Sequence, residues 1–422
     1  MIDTNGKSPQ IAPGPQATLG RMVGLGQLAG LGKREIISGF AMQGQVRRRN
    51  RTKWLFVVIG LVCGCDQGTA SRVHLARVTG ASMAPTIWGD HGLFSCSGCE
   101  IQWKVNWQPE MRPRGTVRCW NCGQELTTSE ILGRSGDMVR IDPAAYLNEA
   151  PEMDDIVAIG DPQGVRIKRV VGIPGQVISS RDGILFRDHA EMTSSAPWLV
   201  VHDDSFRAAG DSWWQSNSPT QIRQTEKGFD INVDPSKDPS VRLTYHHRSA
   251  YQQLRPDRVR DDYPANLAES RQLREVETLA VQGEFSVRAE TVLHCWNWTS
   301  QGVFCRSLRL LPGRHRLDIR WSNAADPTLT APAELSAEHP ICLIIGEGSG
   351  RIGKLKVMRP VHYWIHAADA QKLPLPLTIR RDQYFLIGDN VPLSIDSRQT
   401  GPVARMSILG KALATADELT GR

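Results

Sequence analysis

A serine and a lysine in this sequence have the settings that nucleophilic catalysis without a histidine requires. Ser82 lies in "VTGASMAPT", directly after a Gly-Ala step at which the backbone can turn sharply. Lys168 lies in "VRIKRVVGIPG", next to Ile167 and close to Val170. Burial among apolar groups lowers the pKa of a lysine from its free value of about 10.4, so the amine can accept a proton from a serine. Because no histidine follows a serine in a triad-like string, the pair predicts a serine–lysine dyad; an exposed strand lysine is the alternative.

Four cysteines form two CxxC pairs, Cys96 with Cys99 in "CSGC" and Cys119 with Cys122 in "RCWNCGQ". Their spacing is typical of zinc ribbons, in which four thiolates hold one tetrahedral Zn²⁺. Outside the cytoplasm the same four cysteines could instead form disulfides. The module is structural in either case, because four protein ligands leave no open metal position for catalysis.

Short alternating segments bounded by turn residues must position the serine and the lysine. "GDMVRID" (Gly136–Asp142), "DDIVAIGD" (Asp154–Asp161) and "GVRIKRVVGIPGQVI" (Gly164–Ile178) each have the pattern of strands. From about residue 180 to 380, further strand-like pieces alternate with polar loops and predict a β-sandwich. A helical pattern occurs there only in "NLAESRQLREVETL", Asn266–Leu279. The fold is therefore expected to be mostly β.

The N-terminal region has the composition of a tail followed by a membrane anchor. The first forty residues are rich in Gly and Pro, and the basic cluster "QVRRRNRTK" leads into the apolar run "WLFVVIGLVCGC". The positive-inside rule keeps this basic cluster in the cytoplasm and puts the chain after Ala70 outside it. The run is short for a spanning helix, and its end resembles a lipobox, so lipidation of Cys65 is an alternative anchor. The net charge of +6 is mild, and no nucleic-acid partner is expected.

The ordered motifs resemble those of bacterial signal peptidase I, the membrane-bound serine-lysine endopeptidase. "GASMAPT" is similar to the nucleophile box, "GDMVRI" and "DDIVAI" to the two strand boxes that follow it, and "IKRVVGIPG" to the lysine box. "GDNVPLSIDSRQTGPV" and "ILGKA" are similar to the final box and its close. The resemblance covers the parts of the chain before and after the long middle region, and it omits the cysteine module.

The resemblance implies a role for each matching residue. Ser82 would be the nucleophile and Lys168 the general base, and Ser394 would hydrogen-bond the lysine amine. Asp396 and Arg398 would form a buried ion pair that braces their loop. The supporting positions implied around them are Gly80, Met83, Gly388, Asp389 and Asn390.

The sequence departs from the family pattern at two positions near the site. Some family members have a serine two residues before the nucleophile that stabilises the oxyanion, and here that position is Gly80. A second oxyanion donor would therefore have to come from the backbone near Gly80. Gln176 stands where the lysine box usually ends in aspartate, and we expect this change to cause little loss of activity.

The resemblance further implies a peptidase in the cytoplasmic membrane, with its catalytic domain on the extracytoplasmic side. Its substrates would be secreted pre-proteins cleaved after Ala-x-Ala, with small pockets lined by Met83 and Ile87, and catalysis would need no cofactor. Self-cleaving repressors of the SOS type share the dyad but need a DNA-binding domain, for which the sequence has no pattern. The remaining alternative is a catalytically relic, membrane-anchored binding protein whose β insertion is the working part.

Together these observations predict a signal-peptidase-like β-fold with two insertions. The predicted parts are a disordered cytoplasmic tail over 1–53, an anchor over 54–70, the first part of the catalytic core over 71–180 with a zinc-ribbon-like insertion over 96–122, a β-rich insertion domain over 181–380, and the second part of the core over 381–415.

Overall fold

The computed structural model describes residues 73–106, 115–161, 164–206, 212–226, 228–234, 236–238, 241–267, 271–321 and 329–414. The predicted tail over 1–53 and the predicted anchor over 54–70 lie outside these described residues. None of the helices within the described ranges is long and apolar enough to cross a membrane.

Strands dominate the described residues, which confirms the expectation of a mostly β fold. The strands of the first half are β1 (His74–Arg77), β2 (His91–Ser95), β3 (Gln102–Asn106), β4 (Thr116–Arg118), β5 (Glu125–Thr127), β6 (Leu132–Arg134), β7 (Met138–Asp142), β8 (Ile156–Asp161), β9 (Gly164–Gly172), β10 (Val177–Arg181), β11 (Ile184–Arg187), β12 (Ala190–Glu191), β13 (Thr193–Asp203), β14 (Trp214–Ser216) and β15 (Ile222–Thr225).

The second half continues in the same way. Its strands are β16 (Gly228–Val233), β17 (Arg242–Tyr245), β18 (Arg248–Ser249), β19 (Arg255–Pro256), β20 (Ala280–Val287), β21 (Thr291–Thr299), β22 (Gly302–Leu310), β23 (Gly313–Arg320), β24 (Ile341–Ile345), β25 (Gly348–His362), β26 (Leu377–Thr378), β27 (Gln383–Ile387), β28 (Val403–Ala404) and β29 (Ile408–Ala414). The described helices are single turns: α1 (Ala367–Ala370), α2 (Ser397–Thr400) and the 3-10 turns Ala81–Met83, Thr128–Glu130, Ala250–Gln252 and Arg405–Ser407.

One antiparallel sheet joins the two ends of the described chain. Its seven strands lie in the order β1-β7-β29-β8-β9-β27-β28, so β27 from the C-terminal part pairs with β9 from the N-terminal part. The alternating apolar residues of these strands pack into a core that includes Val139, Ala158 and Ile167. This sheet therefore brings together the two segments whose motifs the sequence analysis singled out.

The two CxxC pairs lie in the turns of two hairpins. Strands β3, β2 and β6 form one small sheet, and β4 pairs with β5 in the other. The first CxxC pair connects β2 to β3, and the second connects β4 to β5. The hairpins share a small core that includes Phe94, Val105, Leu126 and three of the four cysteines.

The long middle region forms two further sheets around a second core. The six-stranded sheet has the order β15-β16-β25-β20-β23 with β13 paired to β25, and the five-stranded sheet has the order β14-β17-β24-β21-β22. Residues from both sheets, such as Phe285 and Leu343, belong to the same hydrophobic cluster. The four-stranded sheet β12-β11-β10-β26 crosses the predicted limit at residue 181, because β10 ends there while β11, β12 and β26 lie within 181–380.

The helical pattern at Asn266–Leu279 does not produce a helix in its described residues, 266–267 and 271–279. The later part of this stretch lies extended against residues 259–261 instead. The Asp261 carboxylate accepts hydrogen bonds from the Arg271 guanidinium at 2.8 Å and from the Arg274 N–H at 2.7 Å. These tertiary contacts outweigh the helix propensity of the stretch, so its later part is extended despite the helical spacing of its apolar residues.

Candidate active site

Ser82 lies in the single 3-10 turn Ala81–Met83 that follows β1. Gly80 precedes this turn in an extended conformation, with φ −91° and ψ 149°. The Ser82 side chain is half-buried, and the turn that carries it contacts β9. The chain thus turns at the Gly-Ala step, as the sequence predicts, and this turn brings Ser82 next to the strand that contains Lys168.

Lys168 lies in the middle of β9, opposite Val157 of β8, and is 2% exposed. Burial lowers its pKa from 10.5 to about 8; the Asp396 carboxylate opposes this shift, and the cations Arg166 and Arg398 reinforce it. Among the described residues no carboxylate forms an ion pair with the Lys168 amine. The amine can therefore lose its proton near neutral pH, as a general base must.

The loop over 388–398, which follows β27, contacts the serine turn directly. The Asn390 N–H donates to the Ser82 carbonyl oxygen at 3.0 Å. A Cβ atom at position 388 would overlap both the Ser82 carbonyl oxygen and the Ser394 hydroxyl, so only Gly388 permits this approach. Ser82, Gly388 and Ser394 are therefore brought together by backbone contact that leaves no room for a larger residue at position 388.

A buried ion pair holds the C-terminal end of the 388–398 loop. Arg398 donates to both Asp396 oxygens, at 2.8 and 2.9 Å, and both side chains are almost completely buried. The same guanidinium also donates to the carbonyl oxygens of Trp364, Val391 and Ser394. Burial would raise the pKa of Asp396, but the Arg398 charge overrides this and holds it below its ordinary value.

A second buried ion pair holds the N-terminal end of the loop, and the sequence analysis missed its partner. Arg169, next to Lys168 on β9, donates to both Asp389 oxygens at 2.7 Å, and Asp389 is fully buried. Thr86 also donates to Asp389, and Arg169 donates to the Asp154 carbonyl oxygen. The signal was present in the sequence as a second cation within the otherwise apolar segment Ile167–Val171 of this strand.

Ser394 does not make the hydrogen bond to Lys168 that the resemblance implies. Its buried hydroxyl lies close to the Asp396 carboxylate instead and helps to hold the pKa of that group below its ordinary value. Ser394 nevertheless lies where a residue that positions the lysine should lie, because Gly388 is in close contact with both the Ser394 hydroxyl and the Ser82 carbonyl oxygen. Hydrogen bonds of catalytic groups are often loose without substrate and tighten in the complex.

The middle region also contributes a residue to this site, which no local sequence pattern indicates. Asn266 and Asn390 exchange two side-chain hydrogen bonds, Nδ2 to Oδ1 at 2.8 and 2.9 Å, and both residues are buried. Asn106 of β3 donates to the same Asn266 oxygen. Asn390 thus connects Ser82 to a segment that lies far from it in the chain.

Met83 and Ile87 are each 1% exposed. They pack into the core of the seven-stranded sheet with Ala76, Val78 and Val139, behind the serine turn. The structure therefore places these two side chains in the core that supports Ser82, where the sequence analysis expected pocket walls.

The four module cysteines converge, and their sulfur atoms all lie within 4.8 Å of one another. Cys96, Cys99 and Cys119 are buried, Cys122 is half-buried, and none of the four is in a disulfide. Among the residues that the structure describes, this is the one group of His, Cys, Asp or Glu side chains placed to bind a metal ion.

One family model matches the C-terminal part of the chain. Residues 358–416 match the model of the family described as signal peptidase, peptidase S26, and this segment contains the whole 388–398 loop. No curated protein matches the chain. The family match supports a peptidase of the signal peptidase family, and its range includes neither Ser82 nor Lys168.

Proposed function

We propose that this protein is a signal peptidase I, a serine endopeptidase that removes the signal peptides of exported pre-proteins. The observation that carries the proposal is the meeting of the Ser82 turn, the Lys168 strand and the 388–398 loop around one buried lysine with a pKa of about 8. The family match over 358–416 supports the same assignment from separate evidence.

In the proposed reaction the Ser82 hydroxyl attacks the carbonyl carbon of the scissile amide while neutral Lys168 takes its proton. The tetrahedral intermediate then collapses, the C–N bond breaks, and the Lys168 ammonium gives its proton to the leaving amine. Water hydrolyses the resulting Ser82 ester with Lys168 again as the base. Burial supports this cycle because it favours the neutral amine, which the first step needs.

The developing oxyanion needs hydrogen-bond donors, and the Ser82 N–H is the first candidate. The backbone around Gly80 supplies the second in this proposal, because Gly80 has no side chain to donate. An added Cβ at Gly80 would meet no atom within 4 Å, so this side of the turn has room for a substrate strand.

The 388–398 loop has a positioning role in this proposal. Its two buried ion pairs, Arg169–Asp389 and Arg398–Asp396, hold both of its ends. The Asn390 N–H fixes the Ser82 carbonyl between those ends. A loop anchored in this way holds the serine and the lysine in one geometry, and misplacement of about 1 Å can cost a hundredfold in rate.

The proposed substrates are pre-proteins whose signal peptides end in Ala-x-Ala, cleaved at the outer face of the cytoplasmic membrane. The anchor proposed over 54–70 would hold Ser82 close to that surface, since only about a dozen residues separate them in the sequence. In this proposal, residues 181–380 are a β-sandwich-like domain inserted into the sequence of the catalytic domain.

The proposal is tested with the purified full-length chain in detergent and a pre-protein that has an Ala-x-Ala site. Ser82→Ala and Lys168→Ala should each abolish cleavage, and Lys168→Arg should not restore it, because a guanidinium cannot act as a base. Cleavage is measured by mass spectrometry of both products.

Two surface substitutions serve as matched controls. Ser286→Ala changes an exposed serine on β20, and Lys372→Ala changes an exposed lysine after α1; both variants should cleave at the parent rate. Parent-level cleavage by Ser82→Ala would reject the serine mechanism. A folded parent protein that binds the pre-protein without cutting it would favour the relic binding protein instead.

A further inference from the structure

The two CxxC turns have the same backbone geometry, although their other residues differ. In the first turn the Glu100 N–H donates to the Cys96 carbonyl oxygen at 2.8 Å, and in the second the Gly123 N–H donates to the Cys119 carbonyl oxygen at 2.8 Å. Glu100 and Gly123 both have a positive φ, 63° and 73°. A non-glycine residue in this region is strained, so the first turn keeps the shape of the second at a conformational cost.

The four sulfur atoms have the spacing of ligands to one ion. Two of the distances join cysteines of opposite turns, 3.5 Å for Cys96–Cys122 and 3.8 Å for Cys99–Cys119. Four thiolates at about 2.3 Å from a tetrahedral Zn²⁺ lie about 3.8 Å apart. A disulfide would need about 2.05 Å. The spacing therefore matches a tetrahedral thiolate site.

The second turn also binds the middle region through Asn121, which is 1% exposed. Its side-chain oxygen accepts from the Asp203 N–H at 2.8 Å, and its amide donates to the Asp203 carbonyl oxygen at 3.1 Å and to the Phe206 carbonyl oxygen. The same amide also donates a long hydrogen bond to the Cys99 sulfur, at 3.9 Å. One side chain thus connects the sulfur cluster to the end of β13.

Apolar packing joins the same two surfaces. A Cβ atom at Gly123 would lie 3.1 Å from the Leu254 side chain and 3.5 Å from the Ala250 carbonyl oxygen. Trp120 lines a cavity of about 350 Å³ together with Val200 and Tyr251 of the middle region. The turn over 119–124 is therefore a docking surface for the middle region.

We propose that the four cysteines bind one Zn²⁺ and that this metal fixes the turn over 119–124 in the shape that holds the middle region. Without the ion, only weak thiol–thiol contacts and a small shared core hold the two hairpins together at the cysteines. The metal fixes the positions of Cys119 and Cys122. Asn121 lies between them, so its side chain is held where it can hydrogen-bond the Asp203 backbone. This proposal does not depend on peptidase activity.

The metal is tested by element analysis and thiol titration of the full-length chain, purified without added metal or chelator. We expect about one zinc per chain and, in denaturant with chelator, reactivity of all nine cysteines of the sequence. Cys119→Ser should lose the zinc. No metal together with only five reactive thiols, nine less four in two disulfides, would overturn the proposal.

The coupling is tested by hydrogen exchange at the Asp203 amide, which needs no substrate. Asn121→Ala should keep one zinc and exchange this amide about tenfold faster, because its acceptor is lost. Removal of zinc from the parent by a chelator should accelerate the same amide to a similar extent. Asn232→Ala, at an exposed position on β16, is the matched control and should change neither quantity. Chelation that removes zinc but leaves Asp203 protected would overturn the coupling.

Discussion

The seven-stranded sheet and the middle region both hold the 388–398 loop, and they hold it with different chemistry. From the sheet, Arg169 binds Asp389 through a buried, doubly hydrogen-bonded ion pair. From the middle region, Asn266 binds Asn390 through a neutral amide pair. A buried charge must have a partner, whereas a neutral amide loses far less when its partner is removed. We therefore expect the sheet to determine whether the loop forms and the middle region to adjust its position.

The largest effect is expected from Arg169→Met, which leaves Asp389 buried without a cation. Breaking a buried pair from one side costs about 3–5 kcal/mol, and thermal unfolding should report a loss of this size. The matched control is Arg351→Met in β25, whose ion pair with Asp230 is exposed and should contribute less than about 1 kcal/mol. Equal losses in the two variants would remove the distinction between the two regions.

The next effect is expected from Gly388→Ala, which forces Ser82 and Ser394 apart. Because the added methyl overlaps both residues, we expect cleavage to fall at least about a hundredfold. Gly160→Ala adds the same methyl at an exposed position on β8, where it would meet only the Leu409 side chain at an ordinary 3.5 Å, and should stay within a few-fold of the parent. Similar rates for the two variants would show that the close contact at position 388 does not position the serine.

The pH dependence of cleavage should follow the deprotonation of Lys168. Burial lowers its pKa to about 8, so the neutral amine is the minor form below that pH and the major form above it. Between pH 7 and pH 9 the rate of the chemical step should therefore rise about tenfold. Single-turnover rates across this range provide the measurement, and a flat profile would contradict a lysine base.

The smallest effect is expected from Asn266→Ala in the middle region. Loss of the amide pair should lower kcat about fivefold with KM unchanged, since Asn266 positions the loop without contacting substrate. Asn266→Asp can still accept a hydrogen bond from Asn390 and should lie between the variant and the parent. Asn232→Ala on β16 is the exposed control. A change in KM alone would indicate that Asn266 acts on substrate binding instead.

The same contrast explains how much of the molecule the sequence could predict. The strands of the sheet follow from local alternation, and the approach of β9 to β27 follows from ordered motifs at both ends of the chain. Lys168 could be proposed because a charge within an apolar strand is unusual. Arg169 has the same signal, but its partner Asp389 lies 220 residues away, so the ion pair does not follow from the sequence pattern.

The contribution of the middle region could not be predicted in this way. Asn266 begins a stretch with a helical period, and nothing local indicates that contacts of Asp261 keep the later part of this stretch extended. An asparagine that binds another asparagine 124 positions away leaves no periodic trace. The role of Asn121 is equally hidden in the sequence, because only folding brings it to Asp203.

The most direct test of the central claim compares one pre-protein with its variant in which the last alanine of the signal peptide is changed to phenylalanine. Purified full-length protein is incubated with each, and the products are mapped by mass spectrometry. The account predicts a single cut after Ala-x-Ala in the parent and loss of that cut in the variant, with no cut by Ser82→Ala. Equal processing of the two pre-proteins would contradict the signal peptidase function proposed here.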